Sequence, residues 1–586
     1  MPWIIASSRA VVAQHRKRPA ATCSLLILAI TLTWASAGWA QQTAPPRYDP
    51  RQSEKIIDTL QPGRERATRP PVRMPRMPEA EVRRGNTKPL VKLQAIIVEG
   101  ANVVSSDAIA AVYQAYLGTT VSEADLVAIA GGITELYRAS GYALSRAIVP
   151  PQDIKAGRIR VNVIEGYIAE FVLMGDDVDR YWIRKPLGRV TEERPLRLKT
   201  LERQLMLVND SPGVRVADTT LEEIGKGSGQ FRLTVWLKTW QIFTALGFDN
   251  QGANAVGPYE AFGTAAFNSY LLHGDSLALS GSTTPNSFRE FTFGRLSYDT
   301  PVGADGGRIG ANVIYSDVAP GDARQLVNTH SITETYELKG SIAPLETRMS
   351  SLWLTGAFGY SDNSERDNSG MIFKDHLRYV SLTADYKLQD NISGWNYLSV
   401  TARQGLPIIG SSNKDDDLLS RQGAFQNFSL LDFSFSRFQK LSDVWSVKIS
   451  ATGQWASGPL LISQQFYLGD SAYGPGFYSG DSGIAGYGEI RFDQTVSNDI
   501  LKGFQLYGFF DKGAVWSFNN NGQILSIAST GAGVRFFLAD QWQAAIGIAV
   551  PVHAGTSAND IHDVRLLFSL STAFKLCPSR AQMHCL

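Results

Sequence analysis

The sequence predicts two small α+β modules followed by an all-β barrel that crosses a membrane. Three observations lead there. The N-terminus has the layout of an export signal, residues 90–239 interleave helical with two-residue periodicity, and from Trp240 onward the alternation has period two, broken by Gly, Asn, Asp and Ser.

The leader comes first. His15, Arg16, Lys17 and Arg18 precede an apolar run from Ala20 to Trp34, and the small residues Gly38 and Ala40 stand before Gln41, so residues 1–40 read as a signal peptide. The apolar run is shorter than the roughly 20 residues that span a bilayer as a helix. Residues 41–89 hold nine prolines and eleven Lys or Arg against six Asp or Glu, the composition of a linker. Within it Asp49 and Pro50 form an N-cap and first-turn pair, and Ile56, Ile57 and Leu60 suit one short amphipathic helix; a solvated basic tail is the other reading.

The first module spans 90–166. Ser122 and Asp125 have capping-box spacing, and Leu126, Ile129, Ile133, Leu136 and Tyr137 share a helical face. After a Gly141-Tyr142 turn, an extended run from Ala143 to Val149 meets two prolines. Gly157 then opens a strand that sets Ile159, Val161 and Val163 against Arg158, Arg160 and Asn162. A helix packed on a two-stranded unit is expected. The second module, 167–239, repeats the logic: a strand Ile168 to Met174, a helix bearing Leu198, Leu201, Leu205 and Val208, a Ser211-Pro212-Gly213 turn, and strands Val214 to Leu221 and Gln230 to Lys238.

Residues 240–574 alternate. Trp445, Val447, Ile449 and Ala451 oppose Ser446, Lys448, Ser450 and Thr452, and Val380, Leu382, Ala384, Tyr386 and Leu388 oppose Ser381, Thr383, Asp385 and Lys387. The last strand sets Val564, Leu566, Phe568, Leu570 and Phe574 against Arg565, Ser569 and Ser571. A soluble sandwich with one wet face would alternate in the same way. The export signal, strands of about ten residues and aromatic residues near strand ends favour a transmembrane barrel, in which every backbone group finds a partner. At roughly 20 residues per strand and turn, this region accommodates about sixteen strands, an even number as such barrels require.

Composition excludes several functions. The chain has 586 residues, a net charge of +1, three Cys and seven His. Near-neutrality argues against nucleic acid. Cys23 lies in the leader, which leaves too few thiols for a disulfide framework or a multi-Cys zinc site, and no His pair has ligand spacing. No nucleophile and base set emerges, so neither enzymatic chemistry nor a cofactor is expected.

The segment GYALSRAIVPPQDIKAGRIRVNVIEG, Gly141 to Gly166, resembles the first POTRA domain of the two-partner secretion transporters, the TpsB family. LERQLMLVNDSPGVRV, Leu201 to Val216, resembles the second. The resemblance implies two periplasmic POTRA domains ahead of a sixteen-stranded outer-membrane barrel. It also implies that the 41–89 segment carries a helix plugging the pore. POTRA domains offer a groove and an open strand edge, where an extended client can bind by β-augmentation. The implied partners are a secreted exoprotein, outer-membrane lipid and the barrel assembly machinery, with the transporter acting as a monomer.

Two clusters in the barrel region resemble family motifs. FYLGDSAYGPGFYSGDSGIAGYGEIRFD, Phe466 to Asp493, stands where the family has a loop that folds into the lumen with a Val-Arg-Gly-Tyr tetrad, whose Arg pairs with a barrel-strand Asp. Here the tetrad is Gly474, Pro475, Gly476 and Phe477, so proline stands in the arginine position. FFDKGAVW supplies the matching Asp511, with Gly513 two residues on. Proline brings neither the charge nor a backbone donor. Asp511 is then neutralised by another lumen base, faces water, or leaves the loop to backbone contacts. FDNQG, Phe248 to Gly252, lies near the first barrel strand.

The tail 575–586 runs past the aromatic end that the assembly machinery reads in the family. Cys577 and Cys585 either close a small disulfide loop, worth about 2 kcal/mol in chain entropy, or are two thiols on a frayed end. The alternatives to exoprotein transport are an insertase of the BamA type and a channel that has lost secretion.

Overall fold

The computed structural model describes residues 72–77, 85–154, 156–408, 410–424, 426–518, 523–539, 541–553 and 563–576. The leader, the Asp49 to Leu60 stretch, Cys577 and Cys585 lie outside the described residues.

In the first module the capping box forms as spaced. The Asp125 carboxylate accepts from the Ser122 N–H at 2.8 Å, and Ser122 Oγ accepts from the Asp125 N–H at 3.3 Å, starting the helix Glu123–Ala139. Its apolar face buries Leu126, Ile129, Ile133 and Tyr137 against Ile159 and Val161. The sheet has three strands rather than the expected two: Arg158–Ile164 is central, antiparallel to Arg146–Ile148 and parallel to Ala95–Glu99. That third strand escapes local reading because a parallel pair needs a long crossover between its members.

Glu165 and Gly166 close this module. Glu165 accepts from the N–H groups of Asn102 (2.6 Å) and Val103 (3.1 Å) and from the Tyr137 hydroxyl (2.9 Å). Burial pushes its carboxyl up, but these donors outweigh burial and hold it below the ordinary glutamate range. Gly166 lies so close to the Leu144 carbonyl that a Cβ would come within 2.3 Å of it.

The second module has strand order Tyr167–Met174, Gln230–Thr239, Val214–Glu223, backed by the helices Arg184–Glu192 and Leu198–Asn209. Leu201, Leu205 and Val208 point into a core with Ile168, Phe231 and Leu233. The helix Arg184–Glu192 was not anticipated, because a short segment this rich in charge shows only three buried side chains, Pro186, Leu187 and Val190. Gly213, at φ +71°, makes the turn after the second helix and accepts from the Trp240 N–H at 2.9 Å, tying the module to the start of the barrel.

Sixteen antiparallel strands form one closed barrel, from Ile242–Asp249 to Arg565–Leu576, and these two pair to complete the circle. Leu246, Leu279, Leu296, Leu338, Ile449 and Leu506 project outward with large exposure, as a lipid-facing band requires. Ser446, Lys448, Gln505 and Asp511 have the opposite parity and face the lumen. The strands Ser350–Asp367 and Gly370–Gln389 have 18 and 20 residues, well beyond the roughly ten that cross a bilayer. No described helix is long and apolar enough to cross a membrane.

The second module is fixed to the barrel's turns. Arg203 donates to the carbonyls of Ala343 (2.6 Å) and Asp305 (3.1 Å), and the Arg348 N–H donates to Glu202 at 3.0 Å. Gly306 leaves the space that Leu207 occupies.

Candidate functional site

Between the barrel strands Trp445–Ala456 and Ser482–Thr495 the chain forms a separate hairpin, Phe466–Asp470 paired with Gly474–Gly480. Phe466, Leu468 and Tyr478 of the hairpin share a core with Val515 and Ile527 of the barrel wall. Gly513 is the seat for Leu468: a Cβ there would come within 2.1 Å of Leu468 Cδ1. Asp511, two residues before it on the same lumen face, accepts from the Ser529 N–H (3.0 Å) and hydroxyl (2.6 Å) and from the backbone N–H of Ser471 in the hairpin turn.

The turn is built on Asp470, whose Oδ1 accepts from the N–H groups of Ala472 and Tyr473, both at 2.9 Å. Gly474 and Gly476 take φ of +79° and +76°, a region open to glycine at little cost. Pro475 lies between them in the second hairpin strand. Phe477 packs its ring on Tyr473 and Tyr478, each 4.7 Å away between centroids.

A cation does stand at this tip, but it comes from elsewhere in the chain. Arg565, at the start of the last barrel strand, has Nη1 2.8 Å from where a Cβ on Gly474 would lie. Its Nη2 donates to the carbonyls of Asn250 (2.6 Å) and Gly252 (2.8 Å), and the guanidinium faces Asp249, Glu260 and Asp470. The side chains of Asp470 and Asp511 meet. Carboxylates this close repel unless a proton or a cation intervenes; Arg565 faces Asp470, and Asp511 is met by Ser529 and Ser471. FDNQG therefore joins the site: Asn250 bonds the backbone of Leu566 and Phe568, and Gly252 touches the hairpin tip.

At the hairpin's base Asp481 is fully buried, accepting from the N–H groups of Leu460 and Phe518, both at 2.9 Å, and pairing with Arg421. Further along the same wall, Arg535 clamps Glu489 through both carboxylate oxygens at 2.9 and 2.7 Å, and Arg491 and Tyr487 also bond Glu489. No group of His, Cys, Asp or Glu among the described residues is arranged to hold a metal.

Sequence reasoning had placed Gly474, Pro475, Gly476, Phe477, Asp511 and Gly513 in this neighbourhood, and the structure brings them together. It missed Asp470, Asp481 and Ser529, and it had Arg565 only as an inward residue. The repeated Gly-Asp pairs at 469–470 and 480–481 were the available signal.

A family model described as haemolysin secretion/activation protein ShlB/FhaC/HecB matches residues 235–536, and a ShlB-type POTRA domain model matches 91–166. The chain is 24% identical over 504 residues to the heme/hemopexin transporter protein HuxB of Haemophilus influenzae, covering 82% of this chain and 87% of that protein. It is 24% identical over 206 residues to the outer membrane transporter CdiB of Escherichia coli, covering 35% of this chain and 34% of that protein. In fold it is similar to the solved CdiB from Escherichia coli, with a TM-score of 0.72 and 19% identity over 90% of this chain and 98% of that one. CdiB from Acinetobacter baumannii gives 0.64 and 17% with the same coverage.

Proposed function

The chain belongs to the haemolysin secretion/activation protein family ShlB/FhaC/HecB, and from that premise we propose that it exports a haemolysin- or adhesin-like exoprotein of its own two-partner system. It is an outer-membrane transporter of two-partner secretion with its POTRA modules in the periplasm. The client meets those modules unfolded and passes through the barrel lumen. Neither nucleotide nor ion gradient is at hand in the periplasm, so capture by the modules and folding of the client outside drive the passage.

The observation that carries this reading is the hairpin seated inside a closed barrel directly behind two small modules. Asp511 and Gly513 hold the hairpin, and Arg565 faces Asp470 at its tip. Gly474, Gly476 and Phe477 shape its tip. The polar contacts at the tip can be exchanged for water in a hydrated lumen, while the apolar cluster of Phe466, Leu468 and Tyr478 on Val515 and Ile527 seats the hairpin on the wall.

Comparison of the secreted and outer-membrane proteomes of the host with and without this gene tests the proposal. Loss of one large exported protein from the medium is expected. Depletion of many barrels would overturn it in favour of an insertase, and unchanged fractions would overturn it in favour of a channel without a client.

A further inference from the structure

Residues 72–77, Val-Arg-Met-Pro-Arg-Met, lie against the second POTRA module, far along the chain from the strand they touch. The Arg73 carbonyl accepts from the Thr219 hydroxyl at 2.7 Å. Thr219 belongs to Val214–Glu223, the edge strand of its sheet, bonded to Gln230–Thr239 on one side. Val72 is 4% exposed and forms part of the module's core, against which Met74 and Met77 also pack.

The burial pattern repeats every three residues: Val72 and Pro75 are buried, Arg73 and Arg76 exposed, Met74 and Met77 half-buried. A β-strand would alternate by two. A repeat of three is that of a polyproline-II ribbon, which is extended, free of internal hydrogen bonds and favoured by proline. The second module therefore holds a stretch of apolar, basic, apolar triplets through side-chain burial and a hydroxyl donor.

We propose that the groove beside Val214–Glu223 is a binding site for polyproline-II segments, and that residues 72–77 occupy it as a tethered stand-in that an exoprotein segment of like chemistry must displace. The client's identity as an exoprotein rests on the transport reading above; the groove and its occupant do not. A tethered occupant competes at an effective concentration on the order of millimolar. The apparent affinity for any outside segment falls in proportion to the fraction of grooves left open. Weakly fitting chains are thereby refused before they reach the barrel.

The test uses the purified full-length chain in detergent and a fluorescent peptide with the sequence of residues 70–79. The triple variant Val72→Asp, Met74→Asp, Met77→Asp empties the groove, and it should capture the peptide about tenfold more tightly than the unaltered chain. Adding Thr219→Val to the triple variant should reverse most of that gain. Equal capture by the triple variant and the unaltered chain overturns the proposal. A second measurement guards against a misfolded variant: benzoylphenylalanine at position 74, with every other residue kept, should photocrosslink to Val214–Glu223, and excess peptide should suppress the crosslink. A crosslink indifferent to peptide overturns the proposal as well. Neither assay needs a client, so this proposal and the transport reading fail separately.

Discussion

Arg565 brings a guanidinium from the last barrel strand to the hairpin tip. The hairpin tip carries proline where a guanidinium is expected, yet Asp470, Asp249 and Glu260 still face a guanidinium, delivered by the last barrel strand. Arg565→Ala should leave these carboxylates without the guanidinium they face and free the carbonyls of Asn250 and Gly252. The expected outcome is faster protease cleavage within 466–480, with the barrel still inserted. Restoring the charge from the loop side, with Pro475→Arg on the Arg565→Ala background, should slow that cleavage again; no recovery would show that position 475 cannot reach the acidic cluster. Gly513→Leu should act differently, because its side chain needs the space held by Leu468. It should lift the hairpin and raise ion conductance in planar bilayers, whereas an unchanged current would mean that the hairpin does not close the pore.

Among the elements, the helix Glu123–Ala139 and the strand end at Glu165 depend on one another. Tyr137 on the helix and the 102–103 backbone converge on one carboxylate, so this residue ties three segments together. Glu165→Gln keeps the shape but removes the ionised acceptor, and should cost the first module about 1–3 kcal/mol, read as a lower urea midpoint for exchange of its amides. The sign of the pH effect follows from the depressed folded value. The carboxylate's contribution is fully present above the ordinary glutamate range and is lost as pH falls through the lower folded value. Between neutral pH and the acid range the unaltered module should therefore lose stability more steeply than Glu165→Gln. Parallel curves would assign the effect to another group.

For the whole molecule, the contacts of Arg203 with Ala343 and Asp305 fix the second module beneath the barrel mouth. A client handed from module to lumen needs that alignment. Arg203→Ala together with Glu202→Ala should reduce secretion severalfold while the amount of barrel in the outer membrane stays constant. Undiminished secretion would mean that the hand-over tolerates a swinging module. Deleting 90–238 should abolish secretion and leave an inserted barrel.

The sequence by itself determined the order of parts, the helix Glu123–Ala139 with its capping box, the strand Arg158–Ile164, and the inward and outward faces of strands such as Trp445–Ala456. These follow from periodicity and from neighbours three or four residues apart, which a chain carries locally. It also brought Asp511 and Gly513 to notice, through a spacing that resembles a family. Only the tertiary structure decided that Arg565 stands at the hairpin tip, that Ser529 and Ser471 satisfy Asp511, that Ala95–Glu99 joins its sheet in parallel, and that residues 72–77 lie on the second module. Each of these joins segments far apart in sequence, and barrel closure or sheet assembly must happen before such groups can meet.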